Sequence, residues 1–180
     1  EGMKALRGEV FFIQELELFF DRTTKDFLWS DYYNHPNEPD HHVPFLFNYS
    51  SKPWLTQKWT RQICKVAYGD DVLGLCGNED VGQMSAWYVL AACGLYPICP
   101  GDTRYEISSP VFEKTEIQVG EGNTFIIRAN RNTPENTYIQ SAKLNGMDYT
   151  RCYLDYRDIM KGGVLELEMG PTPVSYTHLR

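Results

Sequence analysis

The chain carries no run of Lys or Arg and no basic stripe, and with 17 basic against 24 acidic residues its formal net charge is −7. That balance disfavours binding to a phosphate backbone, so no nucleic-acid partner is expected. No apolar stretch approaches the roughly 18 residues that a membrane-spanning helix needs. The opening residues, Glu1-Gly2-Met3-Lys4, lack the basic and apolar regions of a secretory signal, and the chain is expected to be a portion of something longer. Cysteine is sparse: Cys64, Cys76, Cys93, Cys99 and Cys152 show no CxxC spacing and no paired His cluster. Neither a zinc site nor a disulfide scaffold is expected from them. Cys64 and Cys93 fall in helical apolar patterns and are expected to be small buried fillers. No internal repeat or low-complexity segment is present.

What the chain does have is enough apolar material for a core: 180 residues, 42% hydrophobic and 23% charged. Aromatics make up 14%, including four Trp and twelve Tyr. They suit surfaces that stack on sugars, and they suit a core equally well.

The hydrophobic period divides the chain in two. Phe12, Leu16, Phe19 and Phe20 follow helical spacing, as do Leu55, Trp59, Ile63, Val66 and Ala67, with Ser51 as the expected cap and Pro53 in the first turn. A third helix shows Met84, Trp87, Tyr88, Ala91 and Leu95 on one face, with Asp80 before it and Gly94 and Pro97 closing it. Beyond Pro100-Gly101 the period becomes two. Strands are expected over 104–108, 115–119, 123–129, 137–143, 148–154 and 164–169. Asn145-Gly146 is the strongest short hairpin signal in the chain, and Gly120-Glu121-Gly122 is a second turn. The fold class expected is α+β, helices followed by a small antiparallel β unit. Residues 174–180 continue no pattern and are expected to be a sequence artefact, so His178 carries no functional weight.

Two loops concentrate polar side chains at helix entrances: Asn34 to His42, and Gly74 to Ser85. Glycines border the second, so its backbone can turn sharply and approach a ligand. As a helix N-cap, Asp80 would accept backbone N–H bonds, and the positive helix end would favour its charged form. A general base that activates water needs both; an ordinary cap needs only the first, and spacing alone favours the cap. In the first loop His35, Glu38, His41 and His42 offer nitrogen and oxygen donors, but His41 and His42 cannot share one helix face as a zinc pair would. The oxygens of Asn37 and Glu38 suit calcium better than zinc. A polar turn with one of the histidines hydrogen-bonded in the core is the plainer reading.

The same loops carry a resemblance. Asn37-Glu38-Pro39-Asp40-His41-His42, then Phe45-Leu46-Phe47-Asn48-Tyr49 and Pro53-Trp54, is similar to a signature stretch of glycoside hydrolase family 92. So is Gly77-Asn78-Glu79-Asp80-Val81-Gly82-Gln83-Met84-Ser85-Ala86-Trp87-Tyr88, running on to Gly94-Leu95-Tyr96-Pro97. Asp158 to Gly163 and Gly170-Pro171-Thr172-Pro173 resemble the family's C-terminal end. The resemblance covers nearly everything up to Pro173.

It implies an inverting, calcium-dependent exo-α-mannosidase acting on α-mannose-containing oligosaccharides or N-glycans. Residues 1–100 would be the last helices of an (α/α)6 barrel and 101–173 a β appendage, with the N-terminal part of the protein missing. Asp80 would be the general base and Asn78, where relatives often have Asp, would help hold the water. Asn37 and Glu38 would belong to the calcium shell, and Glu38, His41 and His42 to the substrate site. His35 would lie near the +1 subsite, and Pro36 would stand where α-1,2-specific relatives have Glu, which argues against that linkage. The catalytic acid matches no residue here, so the 180-residue chain alone is expected to be inactive. Periplasmic or extracellular placement is expected for the whole protein. Two alternatives remain: a non-catalytic carbohydrate-binding module, with Tyr138, Tyr149, Tyr153 and Tyr156 as candidate platforms, and an inverting barrel glycosidase for another sugar. Asn48-Tyr49-Ser50 is formally a glycosylation sequon, expected to be silent.

Overall fold

In the computed structural model, residues 2–174 are described, apart from the side chains of Met3 and Glu121. The expectation for residues 174–180 therefore lies, save Val174, outside the described residues. The first half is helical: α1 (Gly2–Arg7), α2 (Glu9–Asp21), 3-10 turns at Glu38–Asp40 and Val43–Tyr49, α3 (Trp54–Val66) and α4 (Gln83–Cys93). The second half holds β1 (Leu95–Tyr96), β2 (Arg104–Ile107), β3 (Lys114–Gln118), β4 (Thr124–Asn130), β5 (Tyr138–Leu144), β6 (Met147–Asp148), β7 (Tyr153–Asp155), α5 (Tyr156–Met160) and β8 (Gly163–Gly170). The change of period near residue 100 thus marks a real change of structure, and the α+β expectation holds.

The helical half closes around aromatics. Phe20 stacks on Trp59 at 4.8 Å and 17°, Phe27 meets Trp59 and Tyr33 edge-on, and Tyr33 lies tilted against Phe20. Ile63 is fully buried beside them, whereas Val66, expected on that face, is 43% exposed. At α3 the N-cap is Pro53, not Ser51; the Ser50 hydroxyl instead accepts from the Lys52 amide at 3.0 Å. Gly94 ends α4 as expected. Its φ of +89° belongs to a left-handed C-cap, and a Cβ there would meet Pro110 Cγ at 2.7 Å.

Among the described residues two sheets form, ordered β1-β2-β7 and β3-β4-β8-β5-β6. Alternation places Phe125, Ile127, Leu165, Leu167, Met169 and Ile139 in a second core. Asn145 and Gly146 take positive φ values of 52° and 80° between β5 and β6, as the Asn-Gly hairpin signal demands. One expectation is corrected: the unit is not purely antiparallel. β8 inserts between β4 and β5, antiparallel to β5 and parallel to β4. Period-two alternation is the same in both directions, so the pattern carries no sign of this. The strand expected over 148–154 is split, with β6 and β7 in different sheets.

Side chains fasten the two halves together. Gln57 of α3 accepts from the Ile139 amide at 2.8 Å, where the β5–β8 register shifts. Asn48 donates to Glu106 Oε2 (2.9 Å), the Ile107 carbonyl (3.0 Å) and the Cys152 carbonyl (3.1 Å). Tyr49 donates to Glu106 Oε1 at 2.8 Å. Burial pushes this carboxyl above its ordinary value. The Asn48 amide is thus engaged on the inside of the fold, which agrees with a silent sequon.

Candidate active site

The two polar loops meet. Gly77 has φ +92°, and a Cβ on it would sit 3.0 Å from Pro36 Cβ, so the second loop presses on the first where only glycine fits. Beneath the contact lies a chain of buried rings. Tyr68 has one O–H, which it donates to the Met84 carbonyl at 3.0 Å. It must therefore accept from His35 Nε2 at 2.7 Å, which leaves His35 Nδ1 to accept from Tyr33 Oη at 2.7 Å. His35 is neutral: burial pushes it down to about 2. His41 Nε2 donates to the His35 carbonyl at 2.9 Å, and Gln83 Nε2 donates to His41 Nδ1 at 3.0 Å. Burial lowers His41 as well. Trp87 Nε1 donates to the His41 carbonyl at 2.9 Å, fixing the first loop to α4.

His35 and His41 are 0% and 1% exposed, with both ring nitrogens of each engaged by protein. His35 lies wholly beneath the surface, whereas His41 also borders a cavity of about 320 Å³ beside Glu38 and Gln83. His42 is exposed. It borders the same cavity with Tyr96 and Pro100.

Above the rings stand the exposed oxygens. Asp80 is not the N-cap expected of it. The N-cap is Gly82, in a left-handed conformation, and the carboxylate on the first-turn amides is that of Glu79. Glu79 accepts from the Ser85 amide at 2.9 Å and the Ser85 hydroxyl at 2.7 Å, which hold it below its ordinary value. Asp80 and Val81 have φ of 50° and 59°, so three successive residues are left-handed before the helix begins. For a β-branched valine this is a strained conformation of the kind that clusters at functional turns. The strain swings Asp80 outward against Glu38.

Their carboxyl groups share a hydrogen bond. It raises Asp80 above its ordinary value, while Glu38's own backbone N–H and then that bond lower Glu38. The direction at Asp80 is the opposite of the depressed value an N-cap would have. Asn37 and Asn78 are exposed, and their side-chain amides have no hydrogen-bond partner among the described residues.

As a cation site the set is partial. No group of three or more His, Cys, Asp or Glu is placed to hold a metal among the described residues. Yet two carboxyl groups drawn together beside unpartnered amide oxygens are hard donors of the kind calcium takes. Trp29 precedes the first loop. It is 76% exposed, has φ 50°, and its amide donates to Asn34 Oδ1 at 2.8 Å. No hydrophobic period signals a left-handed tryptophan.

Comparison with known proteins places the chain in a class, the catalytic domains of glycoside hydrolases. The family model for the glycosyl hydrolase family 92 catalytic domain matches residues 2–171, and the chain belongs to that family. A family GH92 α-mannosidase of Bacteroides thetaiotaomicron superposes with a TM-score of 0.86 at 37% identity, covering 94% of this chain and 22% of its own. A family GH92 inverting mannosidase of the same organism gives 0.74 at 42% identity, covering 78% and 19%. An uncharacterized secreted glycosidase of Arthroderma benhamiae is 36% identical over 143 residues, 78% of this chain and 18% of the relative. The chain thus spans about a fifth of the length of these relatives.

Proposed function

We propose that this chain is part of the catalytic domain of an inverting, calcium-dependent exo-α-mannosidase acting on α-mannosides of glycans. Residues 1–100 would contribute the last helices of an (α/α)6 barrel and residues 101–173 its β appendage. The observation that carries the reading is the strained left-handed turn at 80–82, which presents Asp80 outward beside Glu38 in a segment matched by the family's catalytic domain.

In such a reaction a carboxylate takes a proton from water on one face of the sugar while an acid protonates the leaving oxygen on the other. Asp80 is the base and Asn78 helps orient the water. Asp80 has no Lys or Arg partner among the described residues, so no cation competes with that water for its carboxylate. Glu38 and Asn37 would hold calcium, which supplies Lewis-acid polarisation and a template for sugar hydroxyls when bound. Glu38, His41 and His42 border the cavity that would take the sugar, while His35, neutral and hydrogen-bonded beneath, keeps the two loops in register. The acid belongs to the part of the catalytic domain outside this chain, and the 180-residue chain by itself is inactive. The naming of one relative as secreted supports an extracellular or periplasmic setting.

The test is mannose release from α-mannobiose by the longer protein, with and without a calcium chelator. Calcium-dependent turnover that Asp80→Ala abolishes is expected. Turnover insensitive to chelation overturns the metal assignment. Release of glucose from an α-glucoside in preference to mannose favours the other-sugar alternative.

A further inference from the structure

Arg61, on α3, lies where the helix faces the start of the β half. Its Nε donates to Ser109 Oγ at 3.2 Å and an Nη donates to Asn132 Oδ1. Ser109 and Asn132 are 1% and 8% exposed, and both are neutral. Asn132 is itself fixed, donating to the Pro110 and Val111 carbonyls at 3.2 and 3.1 Å, so its oxygen is held toward the guanidinium. Two N–H groups of Arg61 are used this way, and the rest of the fork has no protein acceptor among the described residues. No carboxylate among the described residues pairs with it. A half-buried cation in a neutral cradle is costly unless an anion completes it.

Beside it is a cavity of about 460 Å³, bordered also by Lys65, Tyr88, Cys64, Thr133 and Glu113. The Lys65 ammonium and the Tyr88 hydroxyl have no hydrogen-bond or ion-pair partner among the described residues. Cys64 is not the missing anion, because burial pushes its thiol up to about 12. Glu113 is exposed at the rim and pairs with neither cation.

We propose that this cavity is an oxyanion-binding site, in which the open side of the Arg61 fork receives a carboxylate- or phosphate-type group and Lys65 and the Tyr88 hydroxyl close over it. A planar guanidinium already held by two neutral acceptors is preorganised for such a group. The site is separate from the Asp80–Glu38 site and does not depend on its assignment. The group can come from solution or from an acidic side chain of the remaining catalytic domain; the chemistry is the same.

The experiment is thermal unfolding of this chain titrated with inorganic phosphate or acetate at constant ionic strength, with chloride as the reference. A ligand at about 100 times its dissociation constant should raise the melting temperature of a chain this size by roughly 5–10 °C. Saturable stabilisation is expected in the wild type and absent in Arg61→Met. Should that variant fail to fold, Arg61→Lys keeps the charge without the fork and should bind at least about tenfold more weakly. Glu113→Gln should retain or tighten the response. In the longer protein, a persisting response marks a diffusible ligand. Its loss there, with Arg61→Met still lowering the melting temperature, marks an internal acidic side chain. No saturable shift in this chain, an equal shift in Arg61→Met, or a shift that appears only in Glu113→Gln overturns the proposal.

Discussion

Tyr68→Phe tests the buried ring chain beneath the site. The substitution keeps the ring, which lies parallel to Trp87 (3°, 6.0 Å) and tilted against Tyr88 (4.7 Å), and removes only the hydroxyl. With it goes the acceptor for His35 Nε2–H, in a side chain with 0% exposure. A buried donor left without a partner costs about 1–3 kcal/mol. For a chain of this length that lowers the melting temperature by roughly 2–12 °C. The assay is thermal unfolding of wild type and variant side by side, with amide exchange at Met84 and its neighbours as a local reading. Tyr68 also holds the Met84 carbonyl, so faster exchange should concentrate at the start of α4. A variant that melts within about 1 °C of wild type, with unchanged exchange there, would refute the hydrogen-bond chain.

Acid should weaken the fold. His35 is pushed down to about 2 and His41 is lowered too, so the unfolded state binds more protons below the ordinary 6.5. Their contribution is complete above pH 6.5 and is lost as pH falls toward the folded values, by up to about 1.4 kcal/mol per pH unit for each proton. Glu106, raised by burial, acts in the opposite sense only from its ordinary 4.5 upward to its folded value. Urea midpoints at pH 7.5, 6 and 5, set by the buffer, measure the sum; a flat profile would contradict neutral, buried histidines. Asn48→Ala leaves the buried Glu106 carboxyl with Tyr49 alone and should cost about 2–4 kcal/mol. Asn48→Asp, which adds a second carboxylate there, should cost more, read by denaturant unfolding. Intact mass after expression in a glycosylating host should show Asn48 unmodified. The 180-residue chain alone should release no mannose from α-mannobiose, and turnover by it would show that the acid lies within residues 1–180.

Much of the architecture was legible because it is written in local chemistry. Gly94 ends α4 and Asn145-Gly146 turns the β5–β6 hairpin because positive φ restricts residue choice at those points. Trp59 and Ile63 face the core because helical spacing leaves them no other face. Other features depend on contacts far apart in sequence. The parallel β4–β8 pairing is decided by where the chain returns after β7 and α5. The burial of His35 follows from Tyr33 and Tyr68 closing on both ring nitrogens, which a polar-looking loop does not announce. Asp80 stands where a helix cap is expected and does not cap, because Glu79 takes the Ser85 amide and Asp80 lies on a left-handed turn. A conflict between a local rule and the fold is commonest where a site is built, and here it falls on the proposed base.

The most direct test is the configuration of the first product. Proton NMR of an α-mannoside digest by the longer protein, followed from the first minutes, should show β-mannose appearing before mutarotation, with Asp80→Ala giving no product while remaining folded. α-Mannose as the first product, or undiminished turnover in Asp80→Ala, would contradict the assignment of Asp80 as the base of an inverting mannosidase.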